Sequence, residues 1–175
     1  MAALLNIISK LFGNKYDKDV KELAPIIKEI HQEYAKLSNL TNNELREKTT
    51  SLKNKITEFT LSEKKKIKQL KAEANKVDTD TTKKESLYKE IDELENTILL
   101  KIEEILNTIL AEAFAVIKET AKRFAENDTL LVTATENDQE LATKKDFVSI
   151  DGENACYKTS WDAAGTKIVW DMIHY

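Results

Sequence analysis

Apolar residues recur along the first two-thirds of the chain at the three- and four-residue steps of α-helices. In residues 1–15, Leu4, Leu5, Ile8, Leu11 and Phe12 form one stripe with Ile7 at its margin, and Asn6, Ser9 and Lys10 lie on the other side. Gly13 supplies a stop signal, and Lys10 and Lys15 suit a helix C-terminus. Some ten residues make only about 15 Å of helix, which needs a surface to lie on. That surface is its own domain, a partner groove or a membrane. A second helix is predicted over about 18–37, capped by Asp17 and carrying Val20, Leu23, Ile27, Ile30, Tyr34 and Leu37 on one face. Pro25 sits about two turns in, so a kink is expected.

Thr41-Asn42-Asn43-Glu44 has the form of a capping box, and Leu45, Leu52, Ile56 and Phe59 follow at helical spacing. Residues 60–76 continue with Leu61, Ile67, Leu70 and Ala74 as a thin seam among lysines. After a polar break at 77–84, Leu87, Ile91, Leu94, Ile98, Ile102, Ile105 and Ile109 form a heptad-like seam. Two long helices with a short polar turn predict an antiparallel helical hairpin. The seam then mates with the preceding helix, or else serves as a coiled-coil partner site. Over 109–127, Ile109, Ala113, Phe114, Val116, Ile117, Ala121 and Phe124 nearly encircle the helix, which predicts burial on more than one side. The chain up to 125 offers little apolar surface to cover it.

Beyond Asn127 the period changes. TLLVTAT (129–135), DFVSI (146–150), ACYKT (155–159) and TKIVWDMIHY (166–175) are rich in β-branched and aromatic residues, and Asp151-Gly152 and Ala164-Gly165 are turn signals. A hairpin joining 146–150 to 155–159 is expected within a small antiparallel sheet. Residues 136–145 read as a short helix or a loop. The predicted class is therefore mainly α with a small β appendage (α+β). The chain ends apolar at His174-Tyr175, which reads as a truncated end rather than a natural, more polar terminus.

Composition supports this class. Among 175 residues there are 3 glycines and 1 proline, too few turn residues for an all-β fold. Charged residues make up 33%, above the roughly 25% of an average chain. The net charge of −4 is unevenly spread. Residues 126–175 hold four Lys against ten Asp or Glu, so −6, and residues 1–125 hold 23 basic against 21 acidic residues, so +2. Neither part has the clustered basic face of a nucleic-acid binder. No stretch approaches the roughly 18 apolar residues of a membrane span, and the N-terminus lacks the basic start and cleavage site of a secretory signal.

Cys156 is a lone cysteine, and His31 and His174 are far apart, so no metal spacing is present. The sequence contains no GxxxxGK[ST] or GxGxxG phosphate loop, no GxSxG elbow, no HExxH and no CxxC. Acidic pairs such as Asp92/Glu93 and Glu103/Glu104 read as solvated helix faces. The residues alone predict a helical domain with an acidic β appendage and no active site.

Four stretches nonetheless resemble the N-terminus of the SecA family, the ATPase motors of bacterial protein export. The opening segment ends Lys10-Leu11-Phe12-Gly13, similar to the family's K-x-F-G. Leu37-Ser38 through Glu44-Leu45-Arg46-Glu47-Lys48-Thr49 is similar to L-S-D-E-E-L-R-x-K-T, with variation around Asn39–Asn43. Glu112 through Arg123 (EAFAVIKETAKR) is close to E-A-F-A-V-V-R-E-A-S-K-R, with Ala111 where the family has proline; this is the most specific of the four. Met172-Ile173-His174-Tyr175 resembles the M-R-H-F or M-R-P-Y that precedes the adenine-reading D-V-Q, with Ile173 in place of arginine.

The resemblance implies six segments. They are an amphipathic helix (1–15), the start of the first nucleotide-binding domain (16–59), an inserted helical hairpin (60–108), a buried helix (109–126), an inserted β-rich segment (127–171) and the start of the adenine-binding element (172–175). The two insertions resemble the longer form of the family in Bacteroidetes-type bacteria. The parent would be an ATP- and Mg-dependent motor coupling hydrolysis to preprotein passage through SecYEG. This stretch itself would be non-catalytic and hold no cofactor. Met172 and Tyr175 would edge the adenine pocket. Leu4, Leu5, Ile8, Leu11 and Phe12 would insert at an anionic membrane, SecYEG or a second copy, with Lys10 and Lys15 meeting lipid phosphates. The implied location is cytoplasmic and peripheral to the inner membrane, with a possible homodimer and no nucleic acid. The alternative from the residues is a stand-alone helical coiled-coil interaction module.

Overall fold

A computed structural model describes residues 15–76 and 79–169. The element order is α1 (Lys15–Tyr34), α2 (Asn42–Phe59), α3 (Leu61–Ala74), α4 (Thr81–Glu126), β1 (Thr129–Thr133), α5 (Glu136–Ala142), β2 (Val148–Asp151), β3 (Asn154–Lys158), β4 (Ser160–Ala163) and β5 (Thr166–Val169). The molecule is thus mainly helical with a small antiparallel β part, the class that the periodicity predicts. Two compact units divide the chain. One comprises Thr41–Ala113, and the other comprises the residues up to Leu40 together with those from Phe114 onward. The 46-residue α4 contributes to both.

In the first unit, α2 opens on the predicted capping box. The Glu44 amide donates to Thr41 Oγ1 at 3.2 Å, and the Thr41 amide donates to Glu44 Oε2 at 2.7 Å. Those bonds to the charged form hold the Glu44 carboxyl below its ordinary pKa. The helical pattern of 42–76 looks continuous in sequence, yet it breaks at Thr60, which is fully buried. The Thr60 hydroxyl donates back to the Ile56 carbonyl at 3.1 Å. Lys101, from α4, reaches the Phe59 carbonyl at 3.4 Å and sits 5.4 Å from the Phe59 ring centroid. It also pairs with Glu63 at 2.6 Å, which lowers the Glu63 pKa.

The expected hairpin is present. Ile67, Leu70 and Ala74 of α3 pack with Leu87 and Ile91 of α4, and Leu94 and Ile98 lie against the same cluster. Ion pairs Lys83–Glu73, Lys66–Glu90 and Lys71–Glu95 run along its flanks. The lower half of the heptad-like seam is therefore occupied by α3. The exposed leucines of this stretch are Leu99, Leu100 and Leu106, off that seam.

In the second unit, Pro25 lies inside α1. The predicted stripe of α1 is covered only toward its end: Val20, Leu23 and Ile27 are exposed, Ile30 and Tyr34 are half-buried, and Leu37 in the following turn is buried. On α4, Ala115 and Val116 are buried, whereas Phe114 and Ile117 are 52% and 64% exposed. The helix is thus covered on one side only. β1, β3 and β2 form an antiparallel sheet in that order, and β4 pairs with β5. The expected hairpin closes between Asp151 and Asn154 with Gly152 at positive φ. Ala164 and Gly165 both have positive φ in the loop joining β4 to β5.

Candidate functional site

Most residues singled out from the sequence lie outside the described residues: Leu4, Leu5, Ile8, Lys10, Leu11, Phe12, Met172 and Tyr175, with His174. Lys15 is described, exposed at the start of α1. Among the described residues, no group of three or more His, Cys, Asp or Glu could hold a metal ion. No helix among them is long and apolar enough to cross a membrane. Cys156 is a half-buried free thiol on β3.

The structure does bring together the two longest sequence motifs, 37–49 and 112–123. In the second unit, Arg123 pairs with Glu119 one helical turn earlier, Nε to Oε1 at 2.8 Å. Both side chains are largely buried, at 13% and 7% exposure. The Arg123 guanidinium also donates to the carbonyls of Leu40 at 2.8 Å and Leu37 at 3.4 Å. These carbonyls belong to the turn after α1, where backbone groups lack a helical partner. Only a planar, multi-donor cation can serve the carboxylate and both carbonyls at once. Tyr34 lies beside this cluster. Burial first, and then the Glu119 charge, raises its phenol pKa above the ordinary 10.0. Lys118 sits 4.9 Å from the Tyr34 ring centroid.

In the first unit, Glu112 accepts from Lys55 Nζ at 2.6 Å and from Lys48 Nζ at 3.4 Å. The Lys55 hydrogen bond is the main cause of a Glu112 pKa below the ordinary 4.5, and burial opposes it. The family-like residues Leu37, Lys48, Glu112, Glu119 and Arg123 thus serve packing and cross-helix electrostatics. None is arranged as an acid–base or nucleophile pair.

Sequence reasoning missed a second polar centre. Thr135 and Asp138 form a capping box on α5, with the Thr135 amide donating to Asp138 Oδ2 at 2.8 Å. Asp138 is fully buried and accepts the Tyr157 hydroxyl on its other oxygen. The pattern Thr-x-x-Asp at 135–138 was the available signal. The carboxylate is used up in holding α5 on β3.

A family model described as the SecA DEAD-like domain matches residues 8–137. The protein translocase subunit SecA of Porphyromonas gingivalis (strain ATCC BAA-308 / W83) is 45% identical over 168 residues, 96% of this chain and 15% of that protein. The protein of the same name from Flavobacterium psychrophilum is 45% identical over 175 residues, 100% of this chain and 16% of that protein. That of Azobacteroides pseudotrichonymphae is 43% identical over 178 residues, 97% and 15% respectively. No solved structure matches. The chain spans about 15% of the length of these relatives. Both insertion-like stretches lie within the aligned span of the Flavobacterium relative, which covers the whole chain. The chain therefore belongs to the SecA family.

Proposed function

We propose that this chain is the N-terminal portion of an ATP-driven protein-export motor, contributing part of the first nucleotide-binding domain and a docking helix. The observation that carries the reading is the whole-chain match to SecA translocase subunits about six times longer. The polar lock between Arg123, Glu119 and the Leu40 carbonyl supports it, because it employs residues of two family-like motifs. The chain's own part in the motor is architectural. It fixes α4 and presents the partly uncovered Phe114 and Ile117 to the parts of the parent that follow.

In this reading ATP and Mg bind in the parent, and hydrolysis drives preproteins through SecYEG. Met172 and Tyr175 border the adenine by packing. Leu4, Leu5, Ile8, Leu11 and Phe12 lie in the headgroup region of an anionic membrane, with Lys10 and Lys15 at the phosphates. The location is cytoplasmic, at the inner membrane face. The segments 60–108 and 127–171 are insertions that leave the motor's basic plan intact.

Two assays test the proposal. Residues 1–175 alone should hydrolyse no ATP; robust hydrolysis by this chain overturns the non-catalytic reading. Sedimentation with anionic liposomes should recover the chain, and removal of residues 1–15 should abolish recovery. Equal recovery of both overturns the docking role.

A further inference from the structure

Residues 126–175 carry ten acidic side chains and only four basic ones, Lys144, Lys145, Lys158 and Lys167. All four line one cleft of about 440 Å³ in the β part. They come from three separate places: the turn after α5, the last residue of β3 and the second residue of β5. The Lys158 amide donates to the Phe147 carbonyl at 2.8 Å, which sets the 145–147 turn beside the end of β3. Pairing of β4 with β5 places Lys167 across from Asp162. Among the described residues, only Lys144 of the four has an ion-pair partner, Glu140. Among the described residues the cleft's acids are Asp146 and Asp162, and neither lies within salt-bridge distance of a described lysine.

Gathering like charges is unfavourable unless something of opposite sign joins them. Here four lysines against Asp146 and Asp162 line one cleft inside a segment that is acidic as a whole. The cleft also carries Trp161, 40% exposed, and the half-buried Phe147. An aromatic wall beside ammonium groups suits a ligand with both a planar ring and negative charge. The volume lies in the range of small-molecule sites, about 300–1,000 Å³. We infer that this cleft binds a small, multiply charged anion bearing a planar ring, of the nucleoside di- or monophosphate class. Lys145, Lys158 and Lys167 meet the phosphate, and Trp161 stacks on the ring. Lys145, Lys158, Lys167 and Trp161 are distinct from the adenine-edge residues assigned to the parent, so the inference stands apart from the motor reading.

The test is a fluorescence titration of residues 1–175 carrying Trp170→Phe, which leaves Trp161 as the reporter. Adenosine diphosphate should quench it saturably, with Kd of about 10–500 μM at low salt and weaker binding at higher salt. Pyrophosphate, which has the charge without the ring, should bind at least about fivefold more weakly. Lys158→Gln with Lys167→Gln should weaken nucleotide binding about tenfold or more while leaving the urea midpoint unchanged. Tyr175→Ala and Met172→Ala should leave binding intact, which separates this site from the one assigned to the parent. No saturable quenching up to millimolar nucleotide overturns the inference. So does binding that survives the double lysine variant, or an oligoglutamate peptide that binds more tightly than the nucleotide.

Discussion

Arg123, near the end of α4, donates a 2.8 Å hydrogen bond to the carbonyl oxygen of Leu40, 83 residues earlier in the chain. The same guanidinium holds the buried carboxylate of Glu119. Removing one partner of a buried pair leaves the other charge uncompensated. Arg123→Met should therefore cost about 3–5 kcal/mol in urea unfolding at pH 7. The double variant Arg123→Met with Glu119→Leu should cost distinctly less than Arg123→Met alone. Equal costs would mean that Glu119 gains nothing from the pair.

Glu112 links α4 to two lysines of α2, and its pKa in the folded state is lowered. A depressed carboxylate pKa contributes stability that is present above the unfolded value, near 4.5, and is lost as pH falls through the folded value. Glu112→Gln should thus lower the urea midpoint at pH 7, by about 0.5–1.5 kcal/mol. The gap between the two proteins should close as pH drops below 4.5 and through the lowered folded value. A gap of constant size from pH 7 to pH 3 would show that charge plays no part.

The Tyr157 hydroxyl on β3 donates to the buried carboxylate of Asp138, whose other oxygen serves the capping box. Tyr157→Phe keeps the ring but strips a donor from a buried carboxylate, at a cost of about 1.5–3 kcal/mol. Near-UV circular dichroism during urea unfolding would read this loss. A change below about 0.5 kcal/mol would place the Tyr157 hydroxyl among dispensable contacts.

Ala164 is the one non-glycine among the described residues with positive φ, at 51°. Its Cβ lies close to the following carbonyl oxygen in that conformation, a cost that glycine escapes. Ala164→Gly should raise stability by about 0.5–1 kcal/mol, seen as a higher Tm. A lower Tm would mean that glycine's extra freedom in the unfolded chain outweighs the relief.

The helices were legible wherever local signals acted alone. The Thr41–Glu44 box, the helical hairpin and the Asp151-Gly152 turn follow from neighbours in sequence. The break at Thr60 was not legible, because the residue that serves the Phe59 carbonyl is Lys101 from another helix. The partial exposure of α1 and of Phe114 and Ile117 was hidden for the same reason: a stripe tells which face is apolar, not what covers it. The role of Arg123 escaped notice because its partners are backbone carbonyls, which every residue possesses. The Lys-rich cleft escaped because its four cations are spread over 144–167 and only strand pairing assembles them.

The central claim is tested most directly by exchange. Residues 1–175 would replace the matching segment of the Flavobacterium psychrophilum SecA, with which they are 45% identical over their full length. Preprotein-stimulated ATP hydrolysis and translocation would then be measured beside the unaltered protein. Retention of both activities is the predicted result, and their loss on Arg123→Met should follow. A folded, soluble exchange protein that neither hydrolyses ATP nor moves preprotein would contradict the account.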